Sequence, residues 1–413
     1  MNKNIKLAVA GAVLALSATA NAGIIIPAGD WTVDLGGNVN AFYTNTQTDT
    51  TVNSTGVKTS GVDGNTIGTG LLPAAFGIGA KTRQNDLDVA FQFSFFTGTS
   101  SGNNVLSTNG LTYTTGPTDS TVLSSARQSG GAAGNNTLNI RQAFLTFGDK
   151  SWGSFKLGRD LGIYGSDAIL SDMTLLGVGT GGPAGGSSTL GRIGSGYIYA
   201  DWKGQISYTS PNFNGFQVSG GVMENFKPSA LAASQGTLSD QMAYEGKATY
   251  DFAASDVTGR IWVSGITQKT ENTGSSYTSK GGDVGAKVSM GPASLVGYYY
   301  SGDGLDSQNA LLQGLFNGNG EKSKDSGGYV QGTFVVPGIG TKLGASWGKS
   351  DSKAENSTTF DIENKSWIIG AYHPLTKHLN LVAEYTDQEV KNNVAAGNKV
   401  EKDTVSLGAI LFF

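Results

Sequence analysis

The sequence predicts an all-β fold, a transmembrane barrel of sixteen antiparallel strands. Three observations point there: an export signal at the start, period-two alternation after it, and connections that alternate between short and long. The composition agrees. The 413 residues include 62 Gly, 9 Pro and no Cys, with 38% apolar and 15% charged residues. Glycine is at about twice its usual ~7%, and apolar residues are too few for the cores that a soluble chain of this length would build. Eighteen Phe, 15 Tyr and 6 Trp argue against disorder. Glycine has no fixed period, so a collagen helix is excluded. Without Cys there is no disulfide scaffold, thiolate-held metal or cysteine nucleophile.

Residues 1–22 read as a secretory signal peptide. Lys3 and Lys6 give the positive start, Leu7–Leu16 is an uncharged apolar run, and Ala20-Asn21-Ala22 is a small-x-small cleavage site. Residues 23–413 are then one barrel domain. The formal charge of −4 becomes two units more negative once both lysines leave, which argues against a nucleic-acid partner. No later apolar stretch is long enough for a spanning helix. A closed barrel is the other solution that satisfies every backbone group in lipid.

Alternation marks the strands. Trp31, Val33, Leu35, Val39, Ala41 and Tyr43 form one apolar face; Leu87, Val89, Phe91, Phe93 and Phe95 form another. Met242–Phe252, Val284–Met290 and Val405–Phe413 repeat the pattern. The opposite faces carry Glu245, Lys247 and Lys287, which a dry core would have to pair. Aromatics such as Tyr43, Tyr250, Phe252, Tyr299, Trp347 and Tyr385 sit where membrane girdles would fall. Short connections lie near Gln84–Asp86, Gly148–Gly153, Pro211–Gly215, Ala253–Asp256, Gly291–Pro292, Pro337–Gly340 and Leu375–His378. Long ones lie near Thr46–Gly68, Gly98–Asn136, Leu161–Tyr197, Glu224–Gln241, Thr270–Gly282, Gly302–Gly327, Ser350–Asn364 and Val390–Asp403. Together they separate sixteen strands and match the outer-membrane pattern of short periplasmic turns and long extracellular loops. A hollow barrel has no central core to fill, which accounts for the low apolar content.

Asn139–Phe147, a short turn, and Gly153–Arg159 resemble the fourth and fifth strands of Gram-negative general (diffusion) porins. Ile206–Phe216 resembles the hairpin after their constriction loop, and a terminal Phe413 is similar to their assembly signal. The resemblance runs from about Trp31 to Phe413. It implies a homotrimer in outer-membrane lipid and a third long loop, residues 161–197, folded into the lumen. It also implies loop acids facing a basic wall: Asp160, Asp167 and Asp172 against Arg141, Lys156, Arg159 and Arg192. Parity points Lys156 inward. Arg141 shares a face with Ala143, Leu145 and Phe147, and Arg159 one with Phe155 and Leu157, so parity does not place them in the pore. Ala75, Thr209 and Leu176 stand where family members carry further charges, and Leu176–Gly186 is glycine-rich rather than acidic.

Other motifs weigh little. Gly177-x-Gly179-x-x-Gly182 matches a dinucleotide fingerprint as text but has no βαβ unit around it. Gly348-Lys349-Ser350 lacks the upstream glycine of a P-loop. His373 and His378 have no third metal ligand nearby, and Asp303, Asp306 and Glu321 fit no EF-hand loop. No cofactor, metal or catalytic residue is expected, so the protein should not be an enzyme. The expected function is passive diffusion of small hydrophilic solutes and ions across the outer membrane. The alternatives are a substrate-selective channel using Tyr164, Tyr197, Tyr199 and Trp202, a barrel enzyme using His373 or His378, and a structural or adhesive barrel.

Overall fold

The computed structural model describes residues 23–52, 55–61, 64–98, 139–181, 188–225, 241–272, 275–305, 322–355, 361–394 and 398–413. The signal peptide, Asp306, Glu321 and Gly182 lie outside the described residues. Sixteen strands form one closed antiparallel sheet. They are β1 (Trp31–Val52), β2 (Ala74–Gln84), β3 (Leu87–Thr97), β4 (Asn139–Asp149), β5 (Gly153–Leu161), β6 (Trp202–Thr209), β7 (Phe216–Glu224) and β8 (Met242–Ala254). The ring continues with β9 (Val257–Asn272), β10 (Ser275–Met290), β11 (Ala293–Asp303), β12 (Ser323–Val335), β13 (Lys342–Ala354), β14 (Asp361–Pro374), β15 (Leu379–Asn392) and β16 (Asn398–Phe412). Each pairs with its sequence neighbour, and β16 closes on β1 from Asn398↔Val52 to Phe412↔Asn38. Three short strands, Ile24–Ala28, Lys58–Ser60 and Gly64–Gly68, also pair with β1.

The polarity of the sheet is the reverse of a soluble protein's. Leu295, Val330, Trp367, Ile369, Leu381, Val405 and Leu407 point outward and are exposed. Their inward neighbours include Gln331, Ser346, Ser366, Glu384 and Ser406, all buried. Side chains alternate faces, so one apolar face and one polar face follow from each strand's sequence. Only a lipid solvent stabilises that arrangement. Aromatics border the outward band. Trp347 and Trp367 lie 6.2 Å apart toward one end; Phe155 contacts Phe147 at 5.6 Å and Tyr208 at 5.2 Å toward the other. Placing Arg at Ile369, which is 54% exposed on this band, is expected to destabilise the barrel by about 2–4 kcal/mol. Urea unfolding in lipid vesicles measures the change.

Several expected long connections are strand instead. Thr270–Gly282 lies almost wholly within β9 and β10, with register from Val257↔Met290 to Asn272↔Ser275. Ser350–Asn364 and Val390–Asp403 are likewise largely taken up by β13 to β16, and Thr46–Gly68 folds back along β1. Beyond the lipid band both faces of a strand meet water, so the alternation that identifies a strand disappears while its hydrogen bonds persist. Cross-strand ion pairs run along these extensions: Lys349–Glu363 at 2.8 Å, Lys365–Glu389 at 2.8 Å and Lys399–Glu389 at 2.9 Å.

The interior also differs from the expectation of an unfilled lumen. A buried apolar cluster fills the space between the segment after β5 and the wall. It includes Tyr164, Ile169, Tyr197, Trp262, Tyr298 and Tyr329. A second cluster contains Phe42, Met173, Val178, Ile368 and Tyr372.

Candidate constriction site

The segment joining β5 to β6 lies inside the ring, held at its base by Gly162 N–H donating to the Asp201 carbonyl at 2.7 Å. Inward carboxylates of the wall capture its backbone in order. Glu245 on β8 accepts from the Ile163 and Tyr164 N–H groups at 2.6 and 2.8 Å. Its other oxygen is bonded to Lys203 at 2.5 Å, which compensates the buried charge. Asp283 on β10 accepts from Gly165 N–H at 3.2 Å. The segment then forms the helix α1 (Ser166–Ser171) and a 3-10 turn, Met173–Leu176. Tyr329 on β12 donates to the Ala168 carbonyl at 2.8 Å, and Gln331 bonds both Ser171 O and Met173 N. On β15, nearly opposite β8 around the ring, Glu384 accepts from Val178 and Gly179 N–H at 2.7 Å each and from the Tyr372 hydroxyl at 2.6 Å.

Glycine makes the last contact possible. A Cβ at Gly177 would stand 2.1 Å from a Glu384 oxygen, and Gly179 has φ of +61° with Gly191 Cα 2.5 Å from where its Cβ would be. The described part of the glycine-rich run therefore does cradle an anion, as the fingerprint's chemistry requires. The anion is the protein's own carboxylate.

The loop candidates sit as follows. Asp167, at the first turn of α1, bonds Lys247 at 2.6 Å and Arg260 at 3.1 Å. Burial opposes its charge, but Lys247 and Arg260 outweigh that and hold its carboxyl below the ordinary value of 3.8. The anchoring of α1 from this group is present above that value and is lost as pH falls through the depressed one. Single-channel traces are therefore expected to stay quiet from neutrality to about pH 4 and to flicker only below it. Asp172 is buried and caps the 3-10 turn through Thr174 N–H at 2.9 Å. Its second oxygen accepts from Tyr197 Oη at 2.8 Å and Arg192 N–H at 3.2 Å. Arg192 is fully buried and bonds Ser346 and Ser366 of β13 and β14. Burial lowers its guanidinium to about 10, and the Asp172 charge acts the other way. Asp172 and Arg192 thus fasten the segment, and neither presents its charge to open water.

The wall candidates gather on β4 and β5. Lys156 pairs with the buried Asp160, and Gln142 donates to the other Asp160 oxygen at 2.8 Å. The position of Arg141 has a backbone cause that parity does not reveal. The β3–β4 ladder shifts register at Ser94/Phe95, pairing Ser94 with Gln142 and Phe95 with Ile140, so Arg141 is the extra residue of a bulge. Such a bulge re-aims a side chain. Its guanidinium lies over the rings of Phe96 at 4.7 Å and Trp202 at 5.9 Å. Arg159 is half-buried, and its charge acts with that of Arg141 on the Tyr199 hydroxyl, which burial pushes up.

The carboxylates that fasten the segment, Glu245, Asp283 and Glu384, were not among the candidates. In the sequence Glu245 reads only as wall charge, and an isolated acid at an inward position, such as Asp283 or Glu384, is the available signal. Tyr164, Tyr197 and Tyr199 of the segment and Trp202 at the start of β6 are buried, and Trp202 Nε1 donates to Tyr199 Oη at 2.5 Å. His373 Nδ1 lies 2.9 Å from Thr341 Oγ1 at the short-connection rim.

A sheet closed on itself, apolar outside and polar within, with one long segment bound across its lumen, defines a membrane channel. The family model of the Gram-negative porins matches residues 7–393, and the chain belongs to that family. It is an outer-membrane diffusion channel. Solved structures with the same fold include the outer-membrane channel DcaP of Acinetobacter baumannii, at 16% identity and TM-score 0.64, covering 95% of this chain and 100% of that one. An anion-selective porin from Comamonas acidovorans matches at 16% identity and TM-score 0.57, covering 93% and 100%. In-vitro folded OmpT of Vibrio cholerae, in its trimer form, matches at 14% identity and TM-score 0.53, covering 93% and 99%. Nothing among curated proteins matches the chain.

Proposed function

We propose that the protein is a homotrimer in outer-membrane lipid that passes small hydrophilic solutes and ions by sieving, with no bond made or broken. The short connections face the periplasm and the long ones the exterior. Residues 161–197 set the width of the passage. Arg141, Lys156, Arg159 and Asp160 form one side of it; Asp167, Asp172 and Arg192 hold the other in place. The observation that carries this reading is the chain of hydrogen bonds from Glu245 to Glu384 that ties the segment across the lumen. It is supported by the solved trimer form of a protein of the same fold. The reading as a substrate-selective aromatic path draws no support from Tyr164 or Tyr197, whose side chains are buried in packing. Swelling of liposomes in sugars of graded size tests the proposal. Rates should fall steeply with solute size; no swelling, or rates independent of size, would contradict sieving. Chemical cross-linking in native membranes should trap a trimer and no larger species.

A further inference from the structure

Two segments set end to end cover one edge of β1. β16 runs along that edge as far as Phe413, which exchanges backbone hydrogen bonds with Gly37. The short strand Ile24–Ala28 takes over, from Ile24↔Leu35 to Ala28↔Trp31. Gly23 falls at the junction, opposite Gly36 when that register is continued. The chain arrives there from residues 1–22, whose sequence predicts cleavage between Ala22 and Gly23.

Asp34 lies beside the same junction and shares the inward parity of the buried Asn38 and Asn40. Its Oδ1 is buried and has no hydrogen-bond partner, and no ion pair joins Asp34 to another of the described residues. The cation that acts on it is Lys81, which is exposed and does so through space. A buried acceptor left unmatched is costly, and native structures rarely keep one without a reason. Here the reason stands next to it. Oδ1 lies 2.7 Å from where a Cβ on Gly23 would be. The Gly23 nitrogen shares that Cα, so it is within about 5 Å of the oxygen. In the uncleaved chain this nitrogen is an amide with a single hydrogen. Hydrolysis of the Ala22–Gly23 bond consumes one water. The C–N bond breaks, the water oxygen stays on Ala22 as part of a carboxylate, and both its hydrogens go to the Gly23 nitrogen. The product is an ammonium with three donors that rotate freely beside Asp34.

We propose that Asp34 is the seat of the mature N-terminus. The Gly23 ammonium pairs with its carboxylate and fastens Ile24–Ala28 to the stretch of β1 that β16 leaves uncovered. The proposal rests on cleavage after Ala22. Docking of this strand is then tied to processing, because the chain carries the cation only once the leader is gone. Acetylation of the purified, folded protein at neutral pH tests it, with acetic anhydride as the probe and the N-terminal peptide read by mass spectrometry. The Gly23 nitrogen should react about tenfold more slowly in the wild type than in Asp34→Asn, because a paired ammonium holds its proton. One Gly inserted between Ala22 and Gly23 carries the ammonium past the carboxylate and should speed the reaction as much. Asp30→Asn, in the turn at the far end of the hairpin, should change nothing. Mobility on unboiled gels shows that each variant is folded. Equal rates in the wild type and Asp34→Asn would overturn the proposal and leave the α-carboxylate of Phe413 to hold the terminus. A wild-type N-terminal peptide that does not begin at Gly23 would remove the cleavage reading itself, and the proposal with it.

Discussion

Replacing Glu384 with Ala is expected to free the middle of the lumenal segment while leaving the barrel folded. The carboxylate receives two backbone N–H groups at 2.7 Å and the Tyr372 hydroxyl at 2.6 Å. Removing it strands the Val178 and Gly179 donors in a buried site, at about 1–3 kcal/mol each. A total near 3 kcal/mol raises the detached population on the order of a hundredfold. The strand ladders around residue 384 do not depend on its side chain, so thermal stability of the barrel should change little. Single-channel recording would show a unit conductance broken into flickering substates. Glu384→Gln keeps the shape but must turn an amide N–H toward a donor, so it should fall between wild type and Ala. A Glu384→Ala channel with a steady wild-type conductance would show that the segment is held by packing alone.

Gly37→Val is expected to prevent closure of the barrel. Phe413, the last residue, exchanges hydrogen bonds with Gly37 at 2.9 and 3.1 Å, and its ring lies across that glycine. A Cβ at residue 37 would meet the Ala75 carbonyl oxygen at 2.2 Å and Phe413 Cζ at 2.8 Å. The carbonyl belongs to the β1–β2 ladder and cannot move without breaking it. The β16–β1 seam is what removes the last free edges of the sheet, and in lipid an open edge is not tolerated. The heat-modifiable, folded fraction on unboiled gels should fall about tenfold or more. Gly297→Val, where no atom lies within 4 Å of the added Cβ, is the matched control and should fold normally.

How far the sequence carried depended on which solvent each residue faced. Within the lipid band, residues such as Val405, Leu407 and Leu411 alternate with Thr404, Ser406 and Gly408, and the strands were legible. Past that band, water on both faces erases the pattern, and the extensions of β9 and β10 read as loop. The site was legible where it followed parity, as with Lys156 beside Asp160. Arg141 depended on a single bulge, which no periodicity records. Glu384 depended on Val178 and Gly179, some 200 residues away in sequence, presenting their N–H groups to it, a relation that only the closed ring creates. The filled part of the lumen was missed for the same reason. Tyr298, Tyr300 and Tyr329 sit at inward positions that read as wet, and the segment lying over them excludes the water.

The central claim is that water fills a passage through this barrel beside a fixed internal segment. Planar-bilayer recording of the purified wild-type protein at neutral pH tests it most directly. The account predicts stepwise, ohmic current increments of one unit size or its multiples. A protein that inserts and folds yet gives no steps would show that the segment from Gly162 to Asp201 seals the lumen, and the account would be wrong.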